Sequence, residues 1–329
     1  MNTLAKKVRA SVSAAAVCFA LAVPGLALAD PMRVAFGDIA TVESLNLLAA
    51  LERAREKGVD VQITYLKSED IAAQAVVSGQ ADIGVGAPYA LLQKVKAPIR
   101  IFMQLSKLQF YPVVNTEFYK DWKDLDGQEI AVHSRGSGTE AIMQLMADKN
   151  GIKYSNISYV PGAEVRTGAL LQGNVKATIV DSSGKRILED KAPGKFAFLP
   201  LGEVAATDEA LFANADYLSA NAKDVEILVE AILATWREVA ADPKSVTALR
   251  EKYKLLPDAT PEMVADIEPY FAGIASNMPL NGGGEAAAKD DFSFYTISAA
   301  LEGEAKDLKV EDFWDLTALN NVTSRIGTK

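Results

Sequence analysis

The sequence predicts an α/β protein built from two similar lobes. From Met32 onward, short apolar strand-like runs alternate with amphipathic helical stretches, and the same order begins again after Gly127. A chain of 329 residues has room for two such units. A local echo supports the pairing, because Val76-Val77-Ser78-Gly79-Gln80-Ala81 mirrors Leu170-Leu171-Gln172-Gly173-Asn174-Val175. In each copy an apolar helix end meets a glycine, which tolerates left-handed backbone, and a strand follows.

Residues 1–29 read as a secretory signal peptide. Lys6, Lys7 and Arg9 form its positive end, Ala10 to Val23 its apolar stretch, and Ala27-Leu28-Ala29 a small-residue cleavage site. The apolar stretch is broken by Pro24-Gly25 and falls short of the roughly 20 residues of a membrane span. Cleavage after Ala29 removes three cations and no anion, so the net charge of -9 becomes -12. It also removes Cys18, the only cysteine, which suits an oxidising compartment such as the periplasm.

In the first lobe, Arg33 to Phe36 is a strand ending at Gly37, and Ser44 to Lys57 a helix with Leu47, Leu48, Leu51 and Ala54 on one side. Asp60 to Leu66 alternates as a strand. Ser68 caps a helix whose Glu69 and Asp70 complement its dipole, and Asp82 to Val85 is a third strand. In the second lobe, Glu129 to Val132, Asn156 to Val160 and Lys176 to Val180 are strands, with helices over Thr139 to Lys149 and Glu164 to Gln172. Arg100 to Leu105 and Leu108 to Asn115 are extended, and the second offers a crossing between lobes. Leu211 to Leu218 offers the return. Helices are then expected over Asp224 to Ala241, Pro261 to Ala275, Glu285 to Leu301 and Val310 to Asn320, with Asn281-Gly282-Gly283-Gly284 as a flexible break.

Composition narrows the chemistry. Lys+Arg 34 against Asp+Glu 43 argues against phosphate-backbone binding, which needs a basic face. One cysteine excludes a disulfide scaffold and a thiolate metal site, and one histidine, His133, excludes paired-histidine zinc motifs. No P-loop, zincin or nucleophile-elbow pattern occurs, and Gly84-Val85-Gly86 lacks the third glycine of a dinucleotide fingerprint.

Ligands of open parallel sheets sit beyond the carboxyl ends of the strands. Four loops qualify. Asp38, Ile39 and Ala40 follow the first strand, and Ala87 and Tyr89 the third. Ser134, Arg135, Gly136, Ser137, Gly138 and Thr139 follow a strand of the second lobe, and Asp181 and Ser182 another. Ser137 and Glu140 have capping-box spacing, and the glycines would let backbone N–H groups approach an anion or a carbonyl. Arg135 could fork onto a carboxylate or sulfonate, whereas Asp38 and Asp181 suit a nitrogenous group. Each also has a plainer use: loop aspartates make turns, Tyr89 could pack at a helix start, and His133 could be structural.

Four stretches carry a family resemblance: Val76 to Gly84, Asp124 to Val132, Leu170 to Gly173, and Ala231 to Pro243. In these the chain resembles the periplasmic substrate-binding proteins of ABC importers, in the group that binds nitrate, sulfonates, taurine and thiamine precursors. Lys176 departs from that pattern, standing where an acid is usual. The resemblance implies a type II periplasmic-binding-protein fold with a two-crossing hinge. Lobe one would hold residues 31–111 and 216–329, and lobe two 112–215. It further implies a monomer that takes no cofactor or metal, captures a small carboxylate, sulfonate or amide-bearing heterocycle, and delivers it to membrane permease subunits. The alternatives are an enzyme of the same fold like the thiamine-pyrimidine synthases, for which His133 is the lone catalytic candidate, and a ligand-sensing partner of a membrane receptor.

Overall fold

The structure, a computed structural model, describes residues 30–89, 91–92, 97–202, 204, 206–297 and 308–329. The expected signal peptide lies outside the described residues, as does the end of the helix expected over Glu285 to Leu301.

The first half of the chain runs β1 (Met32–Phe36), α1 (Leu45–Glu56), β2 (Val61–Tyr65), α2 (Glu69–Val77), β3 (Ile83–Gly86) and β4 (Ile99–Gln104). Then come β5 (Tyr111–Asn115), β6 (Glu129–Val132), α3 (Gly138–Asn150), β7 (Asn156–Tyr159), α4 (Ala163–Leu171), β8 (Ala177–Val180), α5 (Ser182–Lys191), β9 (Phe196–Phe198) and β10 (Ala210–Asn214). A helical end follows: α6 (Ala215–Ala220), α7 (Ala222–Ala241), α8 (Ser245–Tyr253), α9 (Pro261–Ile274), α10 (Gly284–Ile297) and α11 (Thr317–Ile326).

The strands form a five-stranded sheet in the order β2-β1-β3-β10-β4, a three-stranded sheet β8-β5-β9 and a parallel pair β6-β7. In the large sheet β1 pairs in parallel with β2 and β3, while β10 runs antiparallel between β3 and β4. β1 is buried at every position but Arg33, as expected of a parallel strand covered by helices on both faces. Leu45, Leu47, Ala50, Leu51 and Ala54 of α1 join Val225, Leu228, Ile232 and Trp236 of α7 in one core beneath that sheet. In the second region, Thr178 of β8 is fully buried and its hydroxyl donates to the Ala131 carbonyl of β6 at 2.7 Å, which ties the two small sheets together.

Two segments connect the large sheet with the small ones, residues 105–110 between β4 and β5 and residues 199–209 between β9 and β10. They run side by side. Lys107 and Thr207 form an antiparallel bridge, the Leu108 N–H donates to Ala206 at 2.9 Å, and the Asp208 N–H donates to Ser106 at 3.1 Å. The return therefore falls before residue 210, not over Leu211 to Leu218. Ala210 to Ala213 form a fully buried strand inserted between β3 and β4, and a continuous apolar run reads alike whether it crosses or inserts.

Two other expectations change. Val310 to Asn320 is not one helix: a short 3-10 turn (Val310–Asp312) is followed by Trp314, which bridges to Ile101 at the edge of β4, before α11 starts. Asn281 to Gly284 is a packed turn, not a loose break. A side chain on Gly283 would come within 2.8 Å of Gln104, whose N–H donates to the Gly282 carbonyl at 2.9 Å. No helix among the described residues is long and apolar enough to cross a membrane.

Candidate functional site

Beyond the carboxyl ends of β1 and β3, next to the two connecting segments, lie two cavities. The smaller is lined by Asp38, Glu43, Glu69, Phe110, His133, Ser137, Gly138, Thr139, Ala163, Arg166, Asp208 and Glu209. The larger shares Glu43, Phe110, Asp208 and Glu209, and extends past Asp181 and Ser182 to Trp236, Tyr270 and Met278. The shared residues make them one cleft, walled by both the large sheet and the small ones.

The predicted residues separate into two sets. Asp38, Ser137, Gly138, Thr139, Asp181 and Ser182 line this cleft. The structure does not bring the others there. Ile39 is exposed, and Ala40 lines a separate surface groove near Tyr65 and Leu256. Ala87 is buried and spends its N–H on Glu69 at 3.1 Å. Tyr89 is 1% exposed; its hydroxyl donates to Asp291 and accepts from the Trp314 indole at 2.8 Å, while its ring stacks on Tyr295 at 4.0 Å. Asp291 also accepts the Thr207 N–H at 2.6 Å, so Tyr89 pins the second connecting segment to α10. Arg135 is exposed and rests 5.3 Å from the centroid of the Tyr159 ring.

The loop after β6 satisfies most of its own donors. Glu140 accepts from the Gly136 N–H at 2.5 Å and from the Tyr159 hydroxyl at 2.8 Å. Ser137 accepts from the Glu140 N–H at 3.4 Å, lies 2.8 Å from the Thr139 hydroxyl, and donates to the Ser134 carbonyl at 2.8 Å. Thr139 in turn accepts the His133 N–H at 3.0 Å. These bonds fix the start of α3, while the buried Ser134 hydroxyl has no partner among the described residues.

Arg166 is the buried cation of the cleft. At 1% exposure its Nε donates to the Ile179 carbonyl at 3.0 Å, and Nη1 to Val160 at 2.9 Å and Gly162 at 3.2 Å. Burial lowers its pKa, and the charges of Asp181 and Asp38 work against that. Nδ1 of His133 accepts the Gly162 N–H at 3.2 Å and lies 3.8 Å from Asp38, so the ring proton belongs on Nε2. Burial, then the Arg166 charge, sinks the His133 pKa to about 4, so the ring is neutral at pH 7.

The carboxylates behave oppositely. Burial raises Glu69 to about 8, helped by the Glu209 charge, and raises Glu209 to about 8, helped by Asp208. It pushes Glu43 and Asp208 well up, and Asp38 and Asp181 up as well. Gly86 leaves room for Glu69, because a side chain there would come within 2.8 Å of its Cγ. Among the described residues, none of Glu43, Glu69, Asp208 and Glu209 pairs with a Lys or Arg, and no group of acids and His133 is arranged to hold a metal.

Glu43, Glu69, Arg166, Asp208 and Glu209 were not among the residues expected at the site. Glu69 fits the plainer role of a first-turn acid complementing the helix dipole, and Arg166 lies on a helix with no pattern marking its inner face. Glu43 lies three residues past Ala40, beyond the loop after the first strand. Asp208-Glu209 immediately ahead of an apolar strand was the readable signal.

This is the periplasmic binding protein fold. The chain belongs to the NMT1/THI5-like family, whose model matches residues 46–246. A protein from Bordetella bronchiseptica superposes with a TM-score of 0.72 at 21% identity, over 90% of this chain and 98% of its own. The periplasmic sulfonate-binding protein of Methylobacillus flagellatus does so with 0.60 at 19%, over 91% and 95%. The periplasmic nitrate-binding protein of Synechocystis does so with 0.66 at 13%, over 91% and 90%. A search of curated proteins gives no match.

Proposed function

We propose that this chain is the ligand-capturing component of an ABC importer, working in the periplasm as a monomer and handing a small polar organic molecule to permease subunits. The observation that carries this is one cleft walled by Asp38 and Glu69 from the large sheet and by His133, Ser137 and Arg166 from the small-sheet region. A ligand in contact with both walls favours the state in which they approach, and a population shift toward that closed state follows. The paired segments 105–110 and 199–209 would serve as the hinge, dividing a lobe of residues 31–104 and 210–329 from the stretch between. Sulfonate- and nitrate-binding neighbours of the same fold support the transport role. Of the ligands considered from sequence, the acidic lining favours those with a nitrogen donor.

Catalysis has less support than binding. His133, held neutral and with Nδ1 engaged by backbone, lacks a nucleophile within its network. Small-angle scattering of the protein cut after Ala29 tests the hinge. The expected result is a smaller radius of gyration when a bound small molecule is present, and an unchanged radius with saturating ligand would refute closure.

A further inference from the structure

Arg166 is 1% exposed, yet its guanidinium is not fully used. A guanidinium carries five N–H donors. Nε spends one on the Ile179 carbonyl, and Nη1 spends both of its own on Val160 and Gly162. The N–H groups of Nη2 have no acceptor among the described residues, and Arg166 lines the smaller cavity. A second donor lies one turn back on the same helix. Ala163, the first residue of α4, lines that cavity too, and its N–H makes no hydrogen bond among the described residues. Gly162 ahead of it has no side chain to cap the helix, whose start favours an electron-rich oxygen. The hydroxyl groups of this wall have nothing to give. Ser137 donates to the Ser134 carbonyl, which leaves Thr139 to donate to Ser137.

These donors decide what kind of acceptor fits. A carboxylate, sulfonate or nitrate is held best by two parallel donors, from the Nη1–Nη2 edge or the Nε–Nη2 edge of a guanidinium. One arm of each edge is already committed to backbone, so neither fork is open. Charge points the same way. Asp181 and Asp38 lie near enough to act on the Arg166 charge, so a full anion would add a third negative group around one guanidinium. No ion pair ties Arg166 to either acid among the described residues, which leaves a gap between guanidinium and carboxylate. On the far side of that gap, Oδ1 of Asp38 accepts the Ile39 N–H at 2.7 Å. Its Oδ2 faces the unprotonated Nδ1 of His133 at 3.8 Å and is free to accept.

We propose that the ligand presents a neutral carboxamide, ureide or lactam to this cavity, its carbonyl oxygen on Arg166 Nη2 and the Ala163 N–H, and its own N–H on Oδ2 of Asp38. This rests on the binding-protein reading above and names the substrate class of that site. A neutral amide supplies the missing acceptor without adding charge, and the two lone pairs of its oxygen match the two donors of α4. Its N–H bridges to the opposite wall, so one small group touches both. The cleft continues past Phe110 to Leu47, Trp236 and Met278, which gives the rest of the molecule an apolar wall.

Isothermal titration calorimetry and thermal denaturation of the protein cut after Ala29 test this with a matched series. Benzamide, benzoate and benzamidine share a ring and a planar head group and differ in charge. Nicotinamide, N-methylurea and hydantoin extend the neutral class, and ethanesulfonate and nitrate the anionic one. The expected result is binding and a raised midpoint with at least one neutral probe, and affinity for the charged probes lower by about tenfold or more. Asp38→Asn and Ala163→Pro are each expected to weaken that binding by about tenfold. Asparagine spends its one oxygen on Ile39 and puts a donor where Oδ2 stood, and proline is tolerated at the first position of a helix. Each variant's own midpoint reports whether it folds. Folded variants that bind the neutral probe as the parent does overturn the assignment, as does no binding by any neutral probe. Binding of benzoate, ethanesulfonate or nitrate with contraction in scattering, and none by amides, overturns it while leaving the importer reading in place. An amide that binds without contraction keeps the proposal and refutes hinge closure instead.

Discussion

The loop after β6 is polar and largely buried, the adjacent acidic end of the large sheet is polar and half-buried, and they are built on opposite rules. In the loop, Glu140, Ser137 and Thr139 spend their hydrogen bonds on neighbouring backbone and on one another. At the sheet end, Glu43, Glu69, Asp208 and Glu209 crowd together without a cationic partner among the described residues. A closed network stabilises the free protein and has little left to offer a ligand. An open set of half-buried charges destabilises the free protein and returns that free energy when a counter-charge arrives. The glycine-serine loop is closed on itself, whereas the carboxylates keep charge that nothing among the described residues balances.

The largest effect should come from the residue that joins the two regions. Arg166 bonds the carbonyls of Val160, Gly162 and Ile179 and places its charge beside Asp181 and Asp38. Arg166→Met would leave those carbonyls unpaired and the acids without their internal cation. Urea unfolding is expected to show a loss of about 3–5 kcal/mol, as when one member of a buried charged set is removed. A loss under about 1 kcal/mol would mean that the acids are already neutral and that the two regions are not electrostatically linked.

A smaller and pH-dependent effect distinguishes the acidic end. Glu69 and Glu209 titrate near 4.5 when unfolded and about 8 when folded. Between those values the folded state binds more protons than the unfolded one, so these groups make stability fall as pH rises. His133 acts the other way, with 6.5 lowered to about 4, so the decline should show most cleanly from pH 6.5 to 8. Glu209→Gln is expected to be more stable than the parent by about 1–2 kcal/mol at pH 8, discounting for partial exposure, with the difference closing toward pH 4.5. Parallel stability curves for the two proteins across that range would remove the carboxylate strain on which the comparison rests.

The physical reasons for what could be read in advance are now specific. The strands and helices of β1 to β3 and β6 to β8 follow from periodicity, since each alternates with an amphipathic helix and ends at a turn-forming residue. β10 escaped because four consecutive buried residues, Ala210 to Ala213, have no periodicity to show which sheet receives them. Asp38, Ser137, Gly138, Thr139, Asp181 and Ser182 were legible as cleft residues because they follow strands directly. Tyr89 follows a strand too, but its hydroxyl is claimed by Asp291 and Trp314, distant residues whose approach no local pattern announces. Glu69 looked like an ordinary first-turn acid of α2. That it turns toward the cleft depends on the space beside Gly86, a tertiary fact.

The smallest expected effect is the sharpest test of the contrast, because it concerns the residue that would most favour an anion. Arg135 belongs to the closed region, is solvent-exposed, and contacts the Tyr159 ring at 5.3 Å without lining the cleft. An exposed cation–π contact contributes about 0.5–1 kcal/mol, so Arg135→Ala should cost no more than that in urea unfolding. Affinity for a neutral amide probe should stay within about twofold, since the removed charge is outside the cleft and screened by water. If Arg135→Ala instead abolished binding of ethanesulfonate, the loop would have to swing its guanidinium into the cleft on closure. The self-satisfied loop would then be reading the ligand in place of the cleft wall.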